Sequence, residues 1–258
     1  MHRVSADQEP TGHFLAHRYP VVVREDLLAA FQSAWKMIAE PGNWYSGEQR
    51  VSVAQETRNA WDCEICRDRN AALSPNSVEH RHTASNLLSS AAIDAIHRIA
   101  TDASRLSKGW LDTVADQGVS DAHYIELLGI VVGIISIDAF HDALGVAHET
   151  LPEPLPGQPS NYRPPGARSH GAWVATVAPA DVSPAEADMY GGAKQTGNVL
   201  SAMSLVPSSM ALLKVLSEAQ YLKAHEVANP ASNGGRALNR MQIELLAGRV
   251  SSINECFY

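Results

Sequence analysis

The chain has 258 residues, 45% of them hydrophobic and 19% charged, a balance that suits one large or two small globular domains and excludes wholesale disorder. Its formal net charge is −8, with a sequence pI near 5.7, so there is no electrostatic case for nucleic acid or an anionic membrane as partner. Three cysteines, two of them in Cys63-x-x-Cys66, do not make a secreted disulfide framework, and the N-terminal stretch MHRVSADQEPTGHFLAH lacks the apolar segment of a signal peptide. A reducing cytoplasm is the expected setting.

Residues 1–21 mix glycine, proline, histidine and charge without period and read as an N-terminal arm. From Glu25 to Glu40, Leu27, Leu28, Phe31, Ala34, Trp35 and Ile38 form one apolar stripe, and Pro41-Gly42 stops the helix. Ser46 with Gln49 is a capping-box pair that opens a second helix through about Asp62. Cys63-Glu-Ile-Cys66 follows, then a short segment that Ser74-Pro75-Asn76 breaks. Glu79-His80-Arg81-His82 is polar and expected to be exposed. Helical spacing returns at Ala92, Ile93, Ile96, Ile99 and Ala100, and again over Leu106 to Ala115. Ser120 and Asp121 can cap the next helix, which carries the longest apolar run, Leu127 to Ile137. That run is too short to span a bilayer and predicts a buried helix. Asp138 and His141 at its end are expected to be hydrogen-bonded structural groups, and Trp35, Trp61 and Trp110 to be core.

Residues 151–170 hold six prolines and two glycines, which predicts a stiff, extended linker and a domain boundary. Beyond it, Ser183-Pro184 starts another helix, Leu200 to Leu222 is helical with an interruption at Pro207, and Asn233-Gly234-Gly235 turns. Asn239 with Gln242 caps a last helix whose apolar positions include Leu246, Val250 and Ile253. No long stretch alternates with period two, so the chain reads as all-α. Placing YSGEQRVSVAQETRNAWDCEI over LNRMQIELLAGRVSSINECFY aligns Cys63 with Cys256, each after a cap and about four helical turns, a pattern that suggests an internal repeat.

Glu244 lies twelve positions before Cys256, on the last helix. That order resembles the alkylhydroperoxidase D (AhpD)-like and carboxymuconolactone decarboxylase-like families, in which a Glu-bearing helix leads to Cys-x-x-Cys and a histidine four residues later. Gly118-Val-Ser120-Asp121 and YIELLGIVVGIISIDAF look like a later segment of the same domain. The resemblance implies an all-α, duplicated AhpD-like fold: a degenerate domain at 22–148 with its CxxC, a linker at 149–170, and the front part of a second domain at 171–258. In the first half Val51 stands where the glutamate is expected and Asn70 where the histidine is expected. In the second half the next cysteine position falls directly after Tyr258. A fragment end, a natural truncation and a selenocysteine codon read as a stop are the competing explanations; a product that continues with selenocysteine is the expectation.

The family chemistry implies reduction of hydrogen or organic peroxides. The second cysteine of the pair attacks, the first resolves the sulfenic acid as a disulfide, and glutamate and histidine relay protons. Carried over residue by residue, Glu244 is the relay carboxylate and Cys256 the resolving cysteine, while the attacking cysteine and the histidine have no counterpart in this sequence; Cys63 and Cys66 are a redox pair or its remnant, half a metal site, or inert core thiols. No cofactor and no metal are implied. The expected partners are a peroxide and a thiol reductant, protein or small molecule, with no nucleic acid and no membrane, and the chain is expected to form a homo-oligomer. Two alternatives stay open, a carboxymuconolactone decarboxylase-like enzyme and a non-catalytic or zinc-binding helical module. For the latter, Cys63 and Cys66 with His80 and His82 make up a Cys2His2 set, although His-x-His is tighter than the usual zinc spacing.

Overall fold

The computed structural model describes residues 12–78, 82, 87–254 and 256. The fold is mostly helical. Among the described residues ten α-helices carry it: α1 (Glu25–Ala39), α2 (Gly47–Asp62), α3 (Glu64–Ala71), α4 (Ser90–Asp102), α5 (Lys108–Asp116), α6 (Asp121–Leu144), α7 (Asn198–Met203), α8 (Pro207–Gln220), α9 (Ala224–Val227) and α10 (Arg240–Ile253). The described strands are two-residue pieces, β1 (Ala167–Arg168) and β2 (Thr176–Val177), paired antiparallel.

The start signals in the sequence are the caps of the structure. Ser46 and Gln49 form a reciprocal capping box on α2, and Asn239 and Gln242 do the same on α10. Ser89, Ser107 and Ser120 accept from backbone N–H groups in the first turns of α4, α5 and α6. Gly145 ends α6 in the left-handed region at φ 66°, where a side chain would be strained. Ser183-Pro184 yields only one 3-10 turn, Pro184–Glu186, because the glycine-bearing stretch behind it does not continue a helix.

Helix α6 is the centre. Ile125, Leu127, Ile130, Val131, Ile134 and Ile137 are buried among α2, α4 and α8. Its length and mean hydropathy would suffice to cross a membrane, and half of that apolar window is buried within the bundle. A methyl at Gly129 would lie 2.8 Å from the Ser209 side chain, so only glycine lets α8 approach this closely. Leu205, Val206, Met210, Leu212 and Leu216 join the same core as Phe31, Trp35 and Ile96. The proline-rich segment between these groups is extended and hydrogen-bonded to the α1–α2 corner, through Leu155 N–H to Ala39 O and Ser160 N–H to Gly42 O.

Three expectations need correcting. The segment from Gly12 to Tyr19 is docked: Phe14 is buried against Phe31 and Trp35, and its N–H donates to the buried Glu149 at 2.9 Å. Trp61 is exposed, because the buried stripe of α2 runs through Val53, Thr57 and Ala60 and leaves it on the other face. The His82 side chain is only 4% exposed; Glu79, His80 and Arg81 lie outside the described residues. Asp138 and His141 are structural. Arg58 grips Asp138 with two hydrogen bonds of 2.8 and 2.7 Å, and His141 Nδ1 sits 2.9 Å from Ile137 O.

Candidate functional site

Helix α2 runs to Asp62 and the chain bends at Cys63, whose extended backbone makes it the N-cap of α3. This puts Cys66 in the first turn of α3, and places both sulfurs at a helix N-terminus that favours thiolate. Cys63 is half-buried and Cys66 fully buried, and both are free thiols. Two imidazoles close over them. Nδ1 of His82 lies 3.3 Å from Cys63 Sγ, and Nδ1 of His97, from α4, lies 3.3 Å from Cys66 Sγ. The rings lie against each other with centroids 4.0 Å apart and planes tilted by 40°. The two sulfurs and one nitrogen from each histidine all lie within 4.8 Å of one another.

Each imidazole is backed by a carboxylate. Nε2 of His82 is 3.3 Å from Asp94 Oδ1, and Nε2 of His97 is 3.3 Å from Glu56 Oε2. Asp94 is itself held by Arg69 at 3.0 Å, by Arg98 at 3.0 Å and by the Trp110 indole at 3.3 Å. Glu56 is fully buried on α2 and accepts from Asn59 at 3.2 Å.

These contacts divide the charge unequally. Burial disfavours the cationic form of His82, but Asp94 and the sulfurs of Cys66 and Cys63 outweigh it and raise its pKa to about 10. Burial lowers His97, and the neighbouring His82 charge lowers it further, to about 4. Burial also opposes the Cys63 thiolate, yet the bonds from His82 and from Cys66 win, and the thiol lies below its ordinary value. Burial raises Glu56, and the Asn59 bond offsets part of that. The consistent proton arrangement is a Cys63 thiolate with a His82 imidazolium, beside a neutral His97 whose Nδ1 faces the Cys66 sulfur.

His82 and Asp94 also form part of the wall of a cavity of about 1050 Å³, with Leu88, Ile93, Arg98 and Trp110 on its other sides. A small molecule in this cavity would meet the outer side of the cluster.

The other sequence-derived candidates lie elsewhere. Glu244 is on α10, where its Oε1 accepts from the Tyr221 hydroxyl at 2.6 Å and from Arg240 at 2.5 Å. Cys256 is exposed beyond the end of α10. Sequence reasoning missed Glu56, His97 and Asp94. Glu56 lies seven residues, two helical turns, before Cys63, and His97 interrupts the apolar stripe formed by Ile93, Ile96 and Ala100. A buried histidine in such a stripe is a legible signal, although it does not say which partner it meets. Asn70, at the position where the resemblance expects a histidine, donates instead to Thr101 O at 3.0 Å.

The chain matches no protein-family model, and neither a curated protein nor a solved structure is significantly similar to it.

Proposed function

We propose that the chain is a thiol-dependent peroxidase of the AhpD-like type, with its redox centre at Cys63 and Cys66. The observation that carries this reading is the pairing of each sulfur with its own imidazole at 3.3 Å, each imidazole backed by a carboxylate. The Glu56–His97–Cys66 line supplies the carboxylate–imidazole–thiol relay that the resemblance places at other positions. Shared capping boxes at the heads of α2 and α10 support the duplicated architecture.

The geometry favours an order of attack opposite to that of the resembled family. Cys63 is the more exposed sulfur and carries the imidazolium partner, so its thiolate attacks the distal oxygen of a hydroperoxide. The O–O bond breaks, Cys63 becomes sulfenic acid, and the departing alkoxide takes the proton held by His82. Cys66 then loses its proton to His97 and attacks the Cys63 sulfur. A disulfide forms and water leaves. Two thiol equivalents from an external reductant restore the pair, so each cycle converts one hydroperoxide and two thiols into an alcohol, water and a disulfide.

The test is consumption of hydrogen peroxide and of an organic hydroperoxide by the reduced, chelator-treated chain in the presence of a dithiol. Turnover that is lost in both Cys63→Ser and Cys66→Ser supports the reading. A rate no higher than that of the dithiol alone defeats it.

A further inference from the structure

We propose that Cys63, Cys66, His82 and His97 also form a tetrahedral site for a zinc-class divalent cation, and that the bound ion caps the thiol pair against peroxide. The metal site stands independently of the peroxidase reading; the capping effect rests on it.

Four donors of the right kind converge. Thiolate sulfur and imidazole nitrogen are the ligands of closed zinc sites, and a tetrahedral ion with the usual bond lengths sets its ligands roughly 3.3–3.8 Å apart. Here the two sulfur–nitrogen pairs are each 3.3 Å apart and all four donors lie within 4.8 Å, so an ion at their centre requires only a small contraction. Both histidines turn the same nitrogen, Nδ1, toward the sulfurs.

The surroundings match a metal centre as well. A ligating histidine ordinarily donates its far ring N–H to a carboxylate, which fixes its orientation and strengthens it as a ligand. Asp94 does this for His82 and Glu56 for His97, in both cases at 3.3 Å. The charge balances too. Two thiolates neutralise a divalent ion, while Arg69 and Arg98 both pair with the carboxylate of Asp94. Cys66, His82 and His97 are almost wholly buried and Cys63 is half-buried, so most of the donor set is shielded from solvent. Nothing in this set needs His80. The fourth ligand comes from α4, thirty-one residues from Cys66, which is why the spacing in the sequence did not reveal it. With four protein ligands the ion offers no open position, and its two bound sulfurs are withdrawn from attack on a peroxide.

The experiment is a cobalt titration of the reduced, chelator-stripped chain of 258 residues, followed by zinc competition and a peroxidase assay of both forms. One equivalent of cobalt is expected to give the intense visible bands of a tetrahedral ion and a thiolate charge-transfer band, which zinc then erases. Asp94→Asn, which leaves all four ligands in place, is expected to weaken binding roughly 10- to 100-fold. Cobalt that gives only the weak spectrum of an octahedral aqua ion, or bands that persist in Cys63→Ser, overturns the site. Zinc is expected to abolish peroxide turnover, and a chelator to restore it. Tight tetrahedral binding by a chain without peroxidase activity leaves the metal site standing and removes the peroxidase reading. Turnover without cobalt binding does the reverse. Turnover that continues unchanged in the zinc-loaded chain overturns the capping.

Discussion

Asp94 Oδ1 lies 3.3 Å from Nε2 of His82 and holds that ring with its other nitrogen on Cys63. Asp94 is thereby a positioning residue for a sulfur it does not touch. Its carboxyl is held well below the usual carboxylate range: burial works against this, but His82, Arg98 and Arg69 outweigh it. Asp94→Asn removes the charge behind the imidazolium. In the metal-free chain, alkylation of Cys63 by iodoacetamide at neutral pH should slow several-fold, because the thiol pKa rises back toward its ordinary value and less thiolate is present. An unchanged rate would show that His82 does not depend on Asp94.

His97 and Glu56 act on the second sulfur. Replacing His97 with Gln removes the base that takes the Cys66 proton, and disulfide closure should slow by about 10²-fold, the low end for general-base catalysis. The first oxidation at Cys63 should proceed as before, so a sulfenic-acid trap should label Cys63 in the variant and hardly at all in the parent. Equal labelling of the two chains contradicts the assignment.

The Arg50–Glu126 pair is a different kind of feature, buried and remote from the thiols. Arg50 is 1% and Glu126 0% exposed. Arg50 also donates to Met37 O at 3.0 Å, and Glu126 accepts from the Trp44 N–H at 2.6 Å, tying α6 to the α1–α2 corner. Glu126→Leu leaves the guanidinium buried without its partner and should cost about 3–5 kcal/mol in urea unfolding. Combining it with Arg50→Met should restore much of that loss. If the double variant is as unstable as the single one, the desolvated charge is not the cause.

The proline-rich segment is fastened to the head of α6 by Arg163, which donates to both Asp121 oxygens at 2.8 Å. The Arg163 bonds lower the Asp121 pKa more than burial raises it. A carboxyl with a depressed folded pKa contributes stability above its unfolded value and loses it as the pH falls through the folded one. Amide exchange over residues 155–166 should therefore be slow at neutral pH and accelerate selectively as the carboxyl protonates in acid. Asp121→Asn should show the faster exchange at every pH.

How much of this was readable beforehand differs between levels. Helix starts at Ser46, Ser120 and Asn239 were legible because a cap is a local bond between neighbours in sequence. The long buried α6 was legible from its unbroken apolar run. The cluster was legible in part. Cys63 and Cys66 announce themselves by spacing and His82 stood with them in the candidate Cys2His2 set, whereas His97 reaches them only because α4 packs beside α2 and α3. Trp61 misled because aromatic character was weighed without its place on the helical wheel. The apolar positions of α10 show a similar limit. Met241, Leu245, Leu246, Val250 and Ile253 are all more than half exposed, so helical spacing correctly marked a face without saying what it packs on.

The most direct measurement is mass spectrometry of the reduced, metal-free chain after one equivalent of hydrogen peroxide, with the cysteines mapped by peptide. The account predicts rapid loss of two hydrogens and a peptide cross-linked between Cys63 and Cys66, formed as fast as the peroxide disappears. Oxidation confined to Cys256, or peroxide that disappears no faster than in buffer while Cys63 and Cys66 stay reduced, would contradict it.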